Sequence, residues 1–550
     1  MKKMPTKSAI IILLITTICI NVSAQNFLAD IKKTSFKSDT LNIVSFGAKN
    51  DGLYLNTKSI NDAITVCSYK GGGVVLVPPG MWLTGPVVLK DNVNLHLASN
   101  SILQFTKDFS QFALVPGNWE GVPQMRNQSP ISATNATNIA ITGSGIVDGN
   151  GDAWRMVKKD KLNETQWKKL VASGGLLSED KKTWYPSETS YKGSGLNNPG
   201  VISSEKDSNF YKSVKEFLRP NMVVLTSCSR VLLEGVTFQN SPAWNLHPLM
   251  CDNLIIKNIY AKNPWYAQNG DGVDVESCKN VLIEGSTFDV GDDGICIKSG
   301  KDEAGRKRGT PTENILVRNC TVYHAHGGFV IGSEMSGGAK NLFVEHCTFI
   351  GTDIGLRFKT TRGRGGIVEK IFISDIVMKD IVGDAILFDM YYAAQDPIAL
   401  IGDKRVTPKV ELFPVSDATP RFQDFHVRNI VCNGASRAVF IRGLPEMHIS
   451  NINLENIIIQ SSDGIDISEA SNINFTNVKV LATAKYPLIN ISNAENLTFN
   501  NFQYGNAANP IFNITGERSK AIIVTNSKMP SVKQAGKFDQ GALENSLIIK

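Results

Sequence analysis

The sequence predicts an all-β fold, a single-stranded right-handed parallel β-helix, on three observations. Short apolar runs rich in β-branched residues recur every few tens of residues, most begin at Asn or another polar residue, and most end at Gly, Asn or Asp. A single strand per repeat can bury its apolar face only against the next repeat, so the repeats must stack as coils. A β-propeller needs about four strands per 40–50 residues and a leucine-rich horseshoe needs a regular leucine frame; neither fits these repeats.

The elements follow the chain in order. A short helix is predicted over 56–70, where we expect it to cap the amino-terminal end of the solenoid. The apolar runs then predict the strands of successive coils at 230–238, 253–259, 280–288, 314–319, 341–346, 447–452, 472–475 and 496–499.

An insertion at about 151–219 interrupts this repeat. It is charged, contains a second predicted helix over 164–172, and is rich in aromatic residues, namely Trp154, Trp167, Trp184 and Tyr185. Such an excursion on a solenoid is either a wall of a binding cleft or a region of local packing, and the sequence leaves both interpretations open.

The amino terminus indicates export. Basic residues up to Lys7, an apolar run over 9–20 that is too short to span a bilayer, and the small residues before Gln25 predict a signal peptide at 1–24. No later stretch reaches the roughly 18 apolar residues of a membrane helix, so we expect no membrane insertion. The prediction is a secreted or periplasmic protein whose β-helix domain spans 41–550.

Charge and cysteine content exclude several other classes. The formal charge of +6 falls once the basic residues of the signal are removed, which is too weak a charge to indicate nucleic-acid binding. The nine cysteines are scattered, and we favour buried free thiols over a disulfide framework because a chain of this length needs no staples. No His and Cys spacing is typical of a metal site, and no glycine-rich loop joins a strand to a helix. The sequence therefore predicts no metal, no cofactor and a monomer.

Three acids are the candidate chemistry. Asp271 and Asp292 lie about one coil apart, which stacks them at a strand spacing of roughly 4.8 Å, and Asp293 adjoins Asp292. Three crowded carboxyl groups cannot all ionise cheaply, so one proton is retained beside ionised neighbours. A general acid beside general bases is what cleavage of a glycosidic bond requires. A calcium site, or a row of solvated turn aspartates, is the competing interpretation.

Basic residues favour the catalytic interpretation. His326, Arg357 and Lys359 fall at comparable points of the following coils. Arg357 and Lys359 are two apart, so in a strand they share a face, and two neighbouring cations repel unless an anion lies between them. The carboxylate of a uronic acid is such an anion. His247, three residues after Trp244, is a further candidate sugar contact.

Together these motifs resemble glycoside hydrolase family 28, the polygalacturonases, and in particular its bacterial exo-polygalacturonase-like members. The four family motifs stand here as Asn269-Gly270-Asp271, Gly291-Asp292-Asp293, Ala325-His326-Gly327 and Arg357-Phe358-Lys359. The charged and catalytic positions are kept, and only flanking positions differ. The resemblance is good over about 41–392 and continues beyond that only as the strand pattern.

The resemblance implies a pectin-lyase-like solenoid and a division of roles. Asp292 would protonate the leaving oxygen, Asp271 and Asp293 would activate water, and the bond would be hydrolysed with inversion. His326 would hold the proton balance of Asp292, Arg357 and Lys359 would bind the galacturonate carboxylate, and the family's tyrosine would be Tyr391 or, more consistently with its spacing, Tyr392. Asn269 is carried over as a substrate contact. Stacking predicts closer carboxylates than the roughly 6.5–9.5 Å of inverting enzymes, so inversion rests on the family.

The expected substrate is pectic polysaccharide or an oligogalacturonide, cleaved at α-1,4-galacturonosyl bonds. Exo-action needs one end of the binding groove blocked, and we expect the insertion at 151–219 and the basic loop at 298–308 to form the block. A rhamnogalacturonan hydrolase or a galacturonidase for branched pectin fragments remains open. A calcium-dependent pectate lyase and a non-catalytic carbohydrate-binding β-helix are more remote alternatives.

Overall fold

The computed structural model describes residues 31–392, 400–401, 404–405, 411–483, 487–505 and 510–550. The predicted signal peptide at 1–24 lies outside the described residues. Within them the chain forms the single-stranded right-handed parallel β-helix that the repeats predicted, because each strand pairs in parallel with the equivalent strand of the next coil.

Two large sheets form the walls of the solenoid. The first, here the long sheet, has 25 strands among the described residues. Its strands are Thr40–Asn42, Gly73–Val77, Gly80–Thr84, Val93–Leu97, Ser101–Phe105, Thr137–Gly143, Ile146–Asp148, Ser229–Glu234, Thr237–Gln239, Asp252–Lys257, Tyr260–Lys262, Lys279–Glu284, Thr287–Asp289, Thr312–Arg318, Thr321–Tyr323, Ala339–Glu345, Thr348–Ile350, Ile367–Lys379, Arg421–Asn433, Ile449–Ser461, Ala470–Ala482, Glu495–Asn500, Gln503–Tyr504, Lys520–Thr525 and Leu547–Ile549.

The second, here the site sheet, has 14 parallel strands in the described part of the chain and carries the candidate site. Its strands are Val87–Val88, Ile131–Thr134, Val223–Thr226, Leu246–Leu249, Val273–Glu276, Asp293–Lys298, Gly327–Ile331, Leu356–Lys359, Asp384–Asp389, Arg437–Arg442, Asp463–Ser468, Ile489–Ser492, Phe512–Thr515 and Gly536–Asp539. Inward side chains such as Val273, Val275 and Ile295 join one continuous hydrophobic core, and the alternate side chains face outward.

The remaining elements are short. The α-helices are Thr57–Tyr69, Glu164–Ala172, Glu188–Ser194, Ser208–Ser213, Asp302–Arg308 and Val532–Ala535, and the 3-10 helices are Ile43–Phe46, Phe109–Gln111, Gly151–Ala153, Lys159–Lys161, Lys215–Phe217 and Glu544–Ser546. Antiparallel pairings join Leu114–Trp119 to Val122–Asn127, Leu400–Ile401 to Lys404–Arg405, and Thr183–Tyr185 to both Val157–Lys158 and Leu176–Leu177. The helix predicted at 56–70 is the one observed at Thr57–Tyr69, and that predicted at 164–172 has those bounds.

The structure explains why so many coils begin at Asn. These residues adopt the left-handed backbone region, which Asn tolerates better than other residues with side chains. Their side-chain amides also donate from one coil to the next, as Asn280 does to Asp252 at 2.9 Å and Asn314 does to Asn280 at 3.0 Å. The residues with this backbone in the predicted strand runs include Asn253, Asn280, Asn314, Asn341, Asn451, Asn472 and Asn496.

The insertion packs locally and supports a neighbouring hairpin. Its four predicted aromatic residues are buried, and Trp167 and Trp184 share a small apolar cluster with Val157. A second cluster joins Leu218 to the strands Leu114–Trp119 and Val122–Asn127, which we call the end hairpin. Trp154 instead joins the main core of the solenoid, so the aromatic residues of the insertion serve packing. The eight cysteines in the described residues are free and buried, as favoured from the sequence.

Candidate active site

The site is built on four neighbouring coils of the site sheet, whose strands are Val273–Glu276, Asp293–Lys298, Gly327–Ile331 and Leu356–Lys359. Asp271 lies just before Val273–Glu276, Asp292 and Asp293 lie at the start of Asp293–Lys298, and Arg357 and Lys359 point outward from Leu356–Lys359. Because strands of successive coils are in register, these side chains meet on one outer surface. The structure brings together the three acids, His326 and the two cations that the sequence singled out.

The three carboxylates form a compact cluster. One oxygen from each of Asp271, Asp292 and Asp293 lies within 4.8 Å of the other two. This confirms that the acids lie close together, although the strand register places Asp271 level with Asp293 and not with Asp292. In the described residues these are the acids close enough to hold a cation together, although Asp293 already has protein cations as partners and a cluster of acids does not by itself define a metal site.

Asp293 is the ionised member of the cluster. Burial favours its neutral form, but Lys359 Nζ at 2.7 Å and Arg357 Nη1 at 3.1 Å outweigh burial and hold the pKa of this carboxyl well below its usual range. The same interaction raises the pKa of Lys359 despite its own burial. The anion between the two cations is thus Asp293 of the protein itself. The sequence-based inference that an external anion must separate them was incomplete, since it missed this partner.

Asp292 is the accessible member of the cluster, with 21% of its side chain exposed. Its carboxylate accepts from the backbone N–H of Asn269 at 3.2 Å and from its neighbour Asp293 at 3.0 Å. His326 Nδ1 lies 3.2 Å from Asp292 Oδ1 and its Nε2 lies 3.6 Å from Asp353. The hydrogen bond to Asp292 raises the pKa of His326, against the opposing effect of partial burial.

Asp271 has the opposite environment to Asp293. Burial, followed by the charges of Asp274 and Asp292, raises the pKa of Asp271 well above its usual range. Its Oδ1 has no hydrogen-bond partner among the described residues. The cluster therefore combines a carboxylate fixed as an anion, an accessible carboxyl and a buried one that binds a proton readily.

Asn269 and Tyr392 both lie beside this cluster. Asn269 adopts the left-handed backbone region, which directs its N–H to Asp292, while its side-chain oxygen accepts from Arg219 at 2.9 Å. The ring of Tyr392 lies 5.0 Å from Lys359 Nζ. Tyr391 instead contacts Arg362 at 3.4 Å, so geometry favours Tyr392 as the site tyrosine.

His247 does not have the environment expected of a sugar contact. Only 1% of its side chain is exposed, and both ring nitrogens have protein partners, Glu276 at 2.8 Å and Asn221 at 3.1 Å. The geometry therefore does not support the substrate-contact prediction for His247. Its ring packs edge-on against Trp244 at 5.0 Å, beside the site.

Three charged residues beneath the cluster were missed from the sequence. Lys298 Nζ lies 2.9 Å from Glu334 and 3.5 Å from Asp274, and all three side chains are buried. Their signal was present in the strand alternation. Val273 and Val275 point inward, so Asp274 must point outward, as must Glu276. Lys298 occupies the outward position on the next strand that is in register with Glu276.

The end hairpin was also missed. Trp119 at its tip stacks on Trp244 with ring centroids 5.9 Å apart, and Lys298 Nζ lies 4.9 Å from the ring of Trp244. Glu120 pairs with Lys301 at 3.4 Å. The hairpin thus reaches the site from the amino-terminal side of the solenoid and contacts the basic loop at 298–308. No sequence signal marked this hairpin.

A parallel β-helix that presents an accessible carboxyl, an ionised carboxylate and two cations on one outer surface defines a glycosidase. Comparison with known sequences agrees. The family model described as glycosyl hydrolases family 28 matches residues 187–407, and a model described as rhamnogalacturonase A/epimerase, pectate lyase-like, matches residues 40–210.

Individual relatives extend these matches over most of the chain. A probable polygalacturonase of Vitis vinifera is 28% identical over 77% of this chain and 75% of its own length, and an exo-poly-alpha-D-galacturonosidase of Dickeya chrysanthemi is 26% identical over 80% and 71%. The crystal structure of a Thermotoga maritima exopolygalacturonase has 30% identity and a TM-score of 0.64 over 80% of this chain and 91% of that one. The chain belongs to glycoside hydrolase family 28.

Proposed function

We propose that this glycoside hydrolase is an exo-acting polygalacturonase, which cleaves α-1,4-galacturonosyl bonds of pectin from a chain end. The observation that carries the proposal is the pairing of an accessible Asp292, held by His326, with Asp293 fixed between Arg357 and Lys359. The accessible Asp292 suits proton donation. Arg357 and Lys359 beside Asp293 supply cationic groups where an acidic sugar would lie. The relatives named above as polygalacturonases support the same substrate.

The proposed roles follow from these environments. Asp292 protonates the leaving oxygen, because it is the accessible carboxyl and His326 can return its proton. Asp271 and Asp293 activate the attacking water, so the anomeric centre is inverted: Asp293 is fixed as an anion and orients the water, and Asp271, which binds a proton readily, accepts its proton. Arg357 keeps 18% of its side chain exposed and binds the sugar carboxylate, with Lys359 and Tyr392 beside it. Asn269 acts through its N–H on Asp292.

The end hairpin is the proposed block that makes the enzyme exo-acting. It contacts the site sheet on the amino-terminal side of the acids through Trp119 and Trp244, and Arg308 Nη2 lies 3.4 Å from the carbonyl of Gly121 at its turn. The insertion at 151–219 packs against the hairpin through the apolar cluster that contains Leu218. The blocking contact thus belongs to the hairpin and the basic loop, and the insertion serves as its support.

Location and organisation complete the proposal. Among the described residues, no helix is both long and apolar enough to cross a membrane. We infer that residues 1–24 direct export, to the outside of the cell or the periplasm, and that 41–550 act as one monomeric catalytic domain on pectic polysaccharide or oligogalacturonides without binding nucleic acid.

A chromatographic product profile tests the function. On de-esterified polygalacturonate with chelator present, the wild type should release only monomeric galacturonic acid from the earliest time points, whereas an endo-acting enzyme would release a ladder of oligomers. Asp292→Asn should lose at least about 100-fold in rate, since general acid catalysis contributes about 10²–10⁴. Asp375→Asn, a change in a half-buried residue of Ile367–Lys379 in the long sheet that accepts from Asn429, is the matched control and should retain wild-type rate.

Each other product pattern identifies a different enzyme. Unsaturated products that vanish with chelator would indicate a lyase. Activity only on rhamnogalacturonan would favour a rhamnogalacturonan hydrolase, the second candidate function, which the family-model match at 40–210 supports. Release of no sugar from any pectin would leave a carbohydrate-binding protein.

A hairpin variant tests the block. Shortening the turn at 120–121 together with Trp119→Ala should convert the release of monomer alone into a ladder of oligomers. Tyr69→Ala, at a highly exposed aromatic residue far from the site, is the control and should leave the profile unchanged. If a folded hairpin variant still released only monomer, another segment would form the block.

A further inference from the structure

The buried charges beneath the acid cluster have no role in the chemistry described so far. Asp274 is fully buried, and neither of its carboxylate oxygens has a hydrogen-bond partner among the described residues. Its nearest cation, Lys298 Nζ at 3.5 Å, is closer to Glu334, at 2.9 Å. A buried, incompletely compensated carboxyl is costly to folding, so its presence calls for a functional reason.

The position of these groups indicates that reason. Asp274 follows Asp271 on the same outward surface, and Glu276 is the next outward residue of that strand. Lys298 lies on the next coil, in register with Glu276. Asp274 and Lys298 both act electrostatically on Asp271, in opposite senses: the carboxyl disfavours a charge on Asp271 and the ammonium favours it. Both lie too deep to touch a sugar.

We propose that Asp274 and Lys298 are positioning residues that set the charge on Asp271, and with it the pH range in which Asp271 can activate water. This inference rests on the proposed function for the role of Asp271, but the electrostatic coupling is a property of the chain. Lys298 keeps the buried Asp271 available as an anion, and Asp274 limits this effect, so that Asp271 still binds a proton within the working range.

Other ionisable groups face this pair from each packed element. Glu334 neutralises Lys298 and has its own pKa lowered to about 2, because Lys298 and its other cationic neighbours outweigh burial. From the preceding coil, His247 is occupied by Glu276, which Arg308 also binds at 2.6 Å. The groups that face Asp271 and Asp274 are Asp292, Asp293, Cys296, Lys298, Glu334, His247 and Glu276.

The acid limb of the pH dependence of kcat/KM tests the proposal, because opposite charges must move it in opposite directions. Lys298→Met removes the cation and should move the limb to higher pH by about one unit, and Asp274→Asn should move it to lower pH by a similar amount. The double variant should lie between the two, and Lys298→Arg should restore the wild-type limb. Asp466→Asn, on a later strand of the same sheet, should not move it.

A purely structural role predicts a different result. Both single variants would then lose kcat with the limb unmoved, or would move it in the same direction, and either outcome would overturn the proposal. If the wild type acts on rhamnogalacturonan instead of polygalacturonate, the proposed substrate fails, while the same limb measurements on that substrate still decide this inference.

A stability measurement decides the inference without any turnover. Burial raises the pKa of Asp274 in the folded chain, so folding takes up a proton. As pH rises above the unfolded pKa of about 3.9, Asp274 therefore lowers the free energy of unfolding of the protein. Asp274→Asn should therefore have a higher Tm than the wild type at neutral pH, with the difference closing near pH 4. A variant that is less stable at neutral pH than Asp466→Asn would contradict the proposal.

Discussion

The coils that carry the acids and the coils that follow them use the same sheet differently. In both regions the inward residues are aliphatic or aromatic and join one core, as do Ile297 and Ile491. Facing outward, the earlier strands carry buried charged residues, among them the ion pair of Asp293 with Lys359 and the incompletely compensated Asp274. The later strands carry a ladder, in which Asn490 donates to Asp466 at 2.8 Å and Asn513 donates to Asn490 at 3.2 Å. The solenoid is thus a common scaffold, and its chemistry resides in the outward residues of a few coils.

The largest difference between the regions should appear when a carboxylate is neutralised. Asp293→Asn leaves the buried Lys359 and the partly exposed Arg357 without their anion, which we expect to cost about 3 kcal/mol of unfolding free energy and at least about 100-fold in kcat. Asp466→Asn should cost less than about 1 kcal/mol and leave kcat unchanged, because Arg437 keeps Asp384 at 2.7 Å. Urea unfolding and steady-state kinetics measure both.

The pH dependence of this difference has a definite sign. The pKa of Asp293 is lowered in the folded chain, so its stabilising contribution is present above the unfolded pKa of about 3.9 and is lost as pH falls through the folded value. The stability gap between wild type and Asp293→Asn should therefore narrow below about pH 4. A gap that is constant with pH would mean that packing, and not charge, causes the loss.

Sequence predicted the scaffold better than the site's interior. The Asn-initiated runs gave the coils because each repeat must satisfy the same local backbone and burial requirements. The motif residues from Asp271 to Lys359 were also found. The role of Asp293 as the anion between Arg357 and Lys359 was not, since a contact between residues two coils apart depends on turn geometry that no local pattern encodes.

The end hairpin and the buried pair Asp274 and Lys298 were missed for different reasons. The hairpin forms from a segment with no repeat, and its position depends on long-range contacts such as that between Glu120 and Lys301. Asp274 and Lys298 follow the strand alternation, so their outward direction was predictable. Their burial was not, because it depends on the loops that cover them.

Core substitutions should separate stability from chemistry. Phe358, between the two site cations, packs on Phe388 at 4.6 Å, and Phe475 in the later coils stacks on Phe499 at 4.7 Å. Phe358→Leu and Phe475→Leu should each cost about 2 kcal/mol, since each removes a similar buried apolar volume. Only Phe358→Leu should also lower kcat, because its strand holds Arg357 and Lys359. Equal loss of kcat in both variants would mean that the site depends on the whole solenoid.

A smaller effect concerns the proton balance of His326. Because Asp292 raises the pKa of His326, Asp292→Asn should return that pKa toward about 6.5, as measured by NMR titration. Asp353→Asn should lower it less, since Asp353 lies 3.6 Å from the ring and is half-exposed. The reverse order would identify Asp353 as the partner of His326. In the later coils, by contrast, the outward carboxylate of Asp466 pairs with Arg437 and Asn490 and not with a histidine.

The smallest effect should be the same in both regions. Asn280 beside the acid-bearing coils and Asn477 in the later coils share a left-handed backbone, with φ of 56° and 55°, and both take part in inter-coil amide ladders. Replacing either with Ala should cost about 1 kcal/mol, because Ala is strained in this region and the ladder bond is lost, whereas Gly should recover part of the loss. If Asn280→Ala proves much more costly than Asn477→Ala in urea unfolding, the acid-bearing coils carry strain in their turns as well as in their charges, and the scaffold is not common to both regions.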